Sequence, residues 1–152
     1  MEIRYATSED IEFLVRARLS FNEELHPSDH DLNEQLAAEF RSYLPQAMAS
    51  QSFVGVLGFA DQTLASTVFM AIRAMPANTA MPRGRNATLL NVYTFPEFRR
   101  KGYGGQVLVA ALAKAKELDL DVVDLESTAM GLGLYQKAGF EVRPLTPMRL
   151  IL

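Results

Sequence analysis

Apolar positions in this chain change period several times, and each change marks an element. Ile3 and Tyr5 alternate with charged neighbours, which predicts a short opening strand. Thr7-Ser8-Glu9-Asp10 reads as a capping box, an N-cap hydroxyl with an acid three residues later. Ile11, Leu14, Val15, Arg18 and Leu19 then keep helical spacing to about Glu24, where Pro27 and Asp29 break the run. A second helix is expected from near Asp31, with Leu32, Leu36, Phe40 and Tyr43 on one side and Pro45 ending or kinking it. Phe53–Ala60 and Thr63–Ile72 are β-rich runs separated only by Asp61-Gln62, the spacing of a hairpin. Residues 74–86 carry prolines, a glycine and arginines, and read as an exposed loop.

Ala87–Phe95 is a further long apolar strand. Past Gly104, the residues Val107, Leu108, Ala111, Leu112, Ala115 and Leu118 mark one helical face. Val122–Leu125 is short and nearly all apolar, the pattern of a strand buried on both faces. A short helix is expected over about Ala129–Lys137, with Gly139 as its C′ residue; Phe140–Val142 and Met148–Leu152 read as closing strands. The predicted order is β-α-α-β-β-β-α-β-α-β-β, an α+β or mixed α/β domain around one central sheet.

Composition narrows the function classes. With 152 residues, 49% hydrophobic and 22% charged, the chain suits one folded domain and excludes a disordered or low-complexity class. There is no cysteine, which removes disulfides, thiolate metal sites and cysteine nucleophiles. His26 and His30, four apart in a proline-bounded loop, do not make a metal constellation, so no metal is expected. No segment approaches the roughly 18 apolar residues of a membrane span, and the opening MEIRYATSED has no apolar signal region. A cytoplasmic protein without a membrane partner is expected. The net charge of −3 argues against general nucleic-acid binding. That total hides a division: residues 1–40 hold three basic and ten acidic side chains, and the remainder hold twelve and eight.

Candidate chemistry concentrates between Val92 and Gln106. There a strand runs through Arg99-Arg100-Lys101 into a glycine-rich turn (Gly102, Gly104, Gly105) that opens an amphipathic helix. Glycines let backbone N–H groups approach a ligand, and a helix N-terminus favours an anion. The three cations reinforce that preference, so a phosphate or pyrophosphate is the expected guest. The string is neither a P-loop, which needs G-x-x-x-x-G-K-[ST], nor a dinucleotide fingerprint, since Val107 stands where the third glycine belongs.

Arg99-x-x-Gly102-x-Gly104, between strand and helix, resembles the pyrophosphate motif of the GNAT superfamily of acyl-coenzyme A N-acyltransferases. The segment from Leu125 to Phe140, ending Leu134-Tyr135-Gln136-Lys137-Ala138-Gly139-Phe140, is similar to the superfamily's second signature, and the element order follows its fold. The resemblance covers nearly all of residues 1–152, as a single N-acetyltransferase domain. It implies a mixed, mostly antiparallel sheet with about four flanking helices. It further implies that Val92, Tyr93 and Thr94 line a slot for the pantetheine arm of acetyl-CoA. Arg99, Arg100, Lys101, Gly102, Tyr103, Gly104 and Gly105 would form the pyrophosphate cradle. Many relatives have a cofactor-contacting asparagine where Thr128 stands; that contact falls to Ser127 or Thr128, or is missing.

The activity so implied is acetyl transfer from acetyl-CoA to a primary amine of a small molecule, peptide or protein, by direct attack in a ternary complex. With no thiol in the chain, a route through an acetyl-cysteine is excluded. Tyr135 matches the position of the general acid, and a tyrosine hydroxyl suits protonation of a leaving thiolate. Many relatives carry a glutamate base on the strand that here reads Ala87–Phe95, and this strand offers Asn91 instead. Glu126, at the end of the next strand, is the candidate base. Glu23, Glu24 and Asn91 fall on the acceptor side, where an acidic wall would steer a cationic amine. The missing strand glutamate motivates an alternative, a non-catalytic acyl-CoA-binding or regulatory module. Dimers are frequent in the superfamily, so a homodimer is a possible assembly.

Overall fold

The computed structural model describes residues 1–152. Strand β1 (Glu2–Tyr5) passes into helix α1 (Ile11–Leu25) through a capping box. The Asp10 carboxylate accepts from the Thr7 N–H at 2.8 Å, while the Thr7 hydroxyl accepts from Glu9 N–H at 3.4 Å. Helix α2 (His30–Ala49) starts where the Asp29 side chain accepts from Leu32 N–H at 2.9 Å, as an N-cap should. Pro45 lies inside α2 and does not end it. The neighbouring buried residues Leu44 and Ala47 hold the helix against the sheet and outweigh the lost backbone hydrogen bond.

Strands β2 (Phe53–Ala60) and β3 (Thr63–Ala74) form the expected hairpin, with Asp61 and Gln62 both at positive φ in its tight turn. Strand β4 (Arg85–Thr94), helix α3 (Tyr103–Glu117), strand β5 (Val122–Leu125) and helix α4 (Leu132–Lys137) complete the regular structure. Gly139 follows α4 with φ +94°, the left-handed C′ position expected of it. The sheet runs β1-β2-β3-β4-β5, antiparallel except for the parallel β4–β5 pair. One face packs on α1 and α2 through Leu14, Leu44, Phe53 and Phe69. The other packs on α3 and α4 through Val68, Met70, Val107 and Leu108.

Two expectations fail at the C-terminal end. Neither Phe140–Val142 nor Met148–Leu152 forms a strand, so the order stops at β-α-α-β-β-β-α-β-α. Neither segment pairs with the free edge of β5, and an extended segment without a partner has no ladder to hold it; Pro144 and Pro147, which supply no N–H donor, fall in the connection between the two. Strand β5 is consequently the edge of the sheet and is only partly buried, where burial on both faces was expected.

Candidate active site

The site begins with a fault in the β3–β4 ladder. Thr67 pairs with Tyr93 but Phe69 pairs with Leu90, so one extra residue of β4 bulges out at Asn91–Val92. Asn91 adopts φ +51°, a left-handed conformation that asparagine tolerates better than most residues. Its side chain is 2% exposed. The Asn91 amide Nδ2 donates to the Ala17 carbonyl at 3.2 Å and to Thr67 Oγ1 at 3.4 Å, tying the bulge to α1 and β3. Thr67 Oγ1 in turn donates to the Asn91 carbonyl at 3.3 Å. Asn91 Oδ1 is buried without a partner. Asn91, expected at the acceptor, therefore braces the bulge from inside.

Beyond the bulge β4 separates from β5. Their parallel pairing covers only Asn86–Leu89 against Val122–Leu125, leaving Leu90–Thr94 without a strand neighbour on that side. The unpaired stretch includes Val92, Tyr93 and Thr94, the residues to which the resemblance assigns the pantetheine arm. Ser66 fixes its far end, its hydroxyl lying 3.0 Å from the Tyr93 carbonyl and 2.8 Å from Thr94 Oγ1. Ser66 and Thr67 were not singled out from sequence. Two adjacent hydroxyl residues inside an otherwise apolar strand were the available signal.

After a short turn of 3₁₀ helix at Pro96–Phe98 the chain reaches the basic turn. Arg100 and Gly102 have φ +61° and +79°, and Gly102 is the N-cap of α3. No side chain caps this helix, and its first backbone bond runs from Gln106 N–H to the Gly102 carbonyl. The N–H groups of Tyr103, Gly104 and Gly105 are left without helical acceptors, which is the donor set an anion requires. A Cβ on Gly104 would lie 3.2 Å from Thr94 Oγ1, so this glycine lets the helix start close to the slot.

The three cations of the turn are not equivalent. Arg99 turns inward: its Nε donates to the Thr94 carbonyl at 2.9 Å, its Nη2 pairs with Glu24, and its guanidinium lies over the Tyr93 ring. Lys101 stacks on Phe98 with its ammonium 5.4 Å from the ring centre. Arg100 makes no side-chain hydrogen bond or ion pair, so Arg100 and Lys101 supply the charge left for a ligand. A polyanionic nucleotide cofactor fits this turn because the orphaned amides, the glycines and those two cations converge on it.

Helix α4 lies against the start of α3, with Leu134 close to Gly104 and Gly105. One residue on, Tyr135 is 8% exposed and packs on Phe140. Its hydroxyl makes no hydrogen bond within the chain, and burial pushes it above the ordinary tyrosine value. Tyr135 thus stays protonated at neutral pH. It lines a cavity of about 1380 Å³ with Leu125, Glu126, Ser127 and residues 138–143. Glu126 is exposed at the mouth of that cavity. Ser127 and Thr128 serve local turns: Ser127 Oγ donates to the Thr128 carbonyl at 2.7 Å, and Thr128 Oγ1 accepts from Gly131 N–H at 3.3 Å.

Glu23 and Glu24 lie at the end of α1. Glu23 accepts from Ser28 N–H at 3.3 Å, whereas Glu24 is taken up by Arg99. His26 and His30 are exposed, and His30 faces Glu34 at 3.2 Å. No helix is long and apolar enough to cross a membrane.

Comparison with known proteins places this geometry among relatives. Residues 54–142 match the family described as the acetyltransferase (GNAT) domain. An uncharacterized N-acetyltransferase of Bacillus subtilis (strain 168), YvbK, is 31% identical over 64 residues, which is 40% of this chain and 41% of that protein. The match thus spans about two fifths of that relative's length. A GCN5-related N-acetyltransferase from Ralstonia eutropha JMP134 superposes with a TM-score of 0.84 at 22% identity, covering 98% of this chain and 97% of its own. A predicted acetyltransferase from Clostridium acetobutylicum, solved with acetyl-CoA, superposes with a TM-score of 0.82 at 22% identity, covering 98% and 95%.

Proposed function

The chain belongs to the GNAT acetyltransferase family, and we propose that it moves an acetyl group from acetyl-CoA to a primary amine by direct attack in a ternary complex, with residues 1–152 acting as one N-acetyltransferase domain. One observation carries the reading: the uncapped N-terminus of α3, with its free N–H groups, opens directly beside the β4 edge that β5 leaves unpaired. The amides from Arg100 to Gly105, with Arg100 and Lys101, hold the pyrophosphate, and the backbone of Val92–Thr94 binds the pantetheine arm. Acetyl-CoA supplies an activated thioester. The bulged β4 edge offers preorganised N–H donors where negative charge develops on the acetyl oxygen. Tyr135 gives a proton to the departing sulfur. Glu126 takes the amine proton, directly or through water. The acceptor is a small-molecule or peptide amine, and neither nucleic acid nor membrane is a partner.

Thiol release with acetyl-CoA and a panel of amines tests this proposal. Tyr135→Phe should lower kcat by about 100-fold with little change in the KM for acetyl-CoA. Since burial raises the Tyr135 pKa, the alkaline fall in wild-type kcat should lie above pH 10 and vanish in the variant. Unchanged turnover would remove Tyr135 from the proton-donor role. A second reading, a non-catalytic acyl-CoA-binding or regulatory module, is favoured by one feature: β4 carries no carboxylate. It requires CoA binding by calorimetry with no transfer to any amine.

A further inference from the structure

Arg18 is the exception among the arginines that the fold draws inward. Of the other partly buried arginines, Arg4 and Arg99 each meet a carboxylate. Arg85 donates to the Leu118 carbonyl. Arg18 is half-buried on α1 and has neither a hydrogen bond nor an ion pair. Burial alone acts on its guanidinium, depressing its pKa, and no carboxylate of the chain lies close enough to compensate. A charge withdrawn from water without a partner is costly. Its retention is explained when a ligand brings the anion.

The surroundings say what kind of anion. Arg18 lines a cavity of about 200 Å³ whose other walls include Phe40, Tyr43, Phe53, Phe69 and Leu90. The guanidinium is the only polar group among the residues of that wall apart from the Tyr43 hydroxyl. A planar fork in an apolar, aromatic setting matches a carboxylate on a small hydrocarbon body. The position relative to the slot also matters. Phe69 and Leu90 form the last regular pair before the bulge, and Ala17, beside Arg18, receives the Asn91 amide. A ligand anchored on Arg18 therefore lies next to the bulged part of β4.

We infer that the amine acceptor is a free amino acid of apolar character, its carboxylate held by Arg18 and its side chain packed on Phe40, Phe53 and Leu90. The choice of an amine rests on the acetyl-transfer reading; the carboxylate site does not. Two measurements separate them. In the first, 4-methylpentanoate and 3-phenylpropionate, carboxylates without an amine, are titrated calorimetrically into the CoA-loaded protein. Both should bind wild type, bind Arg18→Met about 10- to 100-fold more weakly, and recover partly in Arg18→Lys. Thermal unfolding of both variants checks that they fold.

In the second, L-leucine, L-phenylalanine and their amides compete as acceptors. The free acids should exceed the amides by about 10-fold or more in kcat/KM. Arg18→Met should erase that preference through the acceptor KM and leave the KM for acetyl-CoA unchanged. The amides also stand for a peptide N-terminus, so an equal or better rate with them overturns the free-acid assignment. No carboxylate binding to wild type, or equal binding by wild type, Arg18→Met and Arg18→Lys, overturns the site itself. Carboxylate binding through Arg18 without transfer to any amine upholds the site and defeats the acetyl-transfer reading instead.

Discussion

Asn91 shows how one residue carries both backbone geometry and packing. A left-handed backbone costs an alanine roughly 1–2 kcal/mol, and the Asn91 amide also satisfies the buried Ala17 carbonyl. The two contributions separate by substitution. Asn91→Gly keeps the left-handed backbone and loses the tie to α1, whereas Asn91→Ala loses both. Urea unfolding should show Asn91→Ala less stable than Asn91→Gly by about 1 kcal/mol, with both below wild type. Equal stability of the two variants would mean that the bulge stores no backbone strain. Because the bulge sets where the β4 amides point, both variants should also lower kcat more than they raise the KM for acetyl-CoA.

At the scale of elements, the joint between β1 and α1 is the best-satisfied polar cluster in the chain. The Asp10 carboxylate receives both Arg4 nitrogens at 2.6 Å, together with Thr7 N–H at 2.8 Å and Thr7 Oγ1 at 3.1 Å. The Arg4 hydrogen bonds lead in lowering its pKa from 3.8 to about 2. Between those values the unfolded chain binds more protons than the folded one, so stability rises with pH across the window. The contribution is complete above 3.8 and is lost as pH falls through about 2. It amounts to about 2 kcal/mol at neutral pH. Asp10→Asn should lose about that much in urea unfolding at pH 7, and its deficit relative to wild type should shrink as pH approaches 2. A deficit constant with pH would assign the effect to capping rather than charge.

The Thr7–Asp10 part of this cluster was legible in the sequence because a capping box is a three-residue spacing, whereas the Arg4 pairing emerged only from the structure. The β2–β3 hairpin and the glycine-rich opening of α3 were legible for the same reason: local spacing determines them. What escaped the sequence was relational. The bulge is an offset between β3 and β4, and no single strand's pattern contains it. The inward turn of Arg99 depends on Glu24, 75 residues away. That pair joins the acidic first 40 residues to the basic turn, and Arg41 with Glu12 crosses the same charge division. Arg18 kept helical spacing and passed as one more position on α1, since an unpartnered guanidinium is visible only once every neighbour has been placed.

For the whole molecule, the unexpected feature is where the sheet ends. Both cores are complete without the last residues: α1 and α2 cover one face, and α3 and α4 cover the other. Residues 148–152 add Met148, Leu150, Ile151 and Leu152, all exposed, and they belong to neither core. Their apolar character predicts a strand, yet a strand is stabilised by its partner, and no strand pairs with these residues. The ties of this terminal stretch to the rest of the fold lie earlier, in Phe140 against Tyr135 and Arg143 near Asp124 at 3.7 Å. Deleting residues 148–152 should therefore leave the unfolding free energy within about 0.5 kcal/mol of the full chain, measured by urea denaturation. A loss of about 2 kcal/mol or more would mean that these side chains are buried in solution, with the free edge of β5 as the surface that receives them.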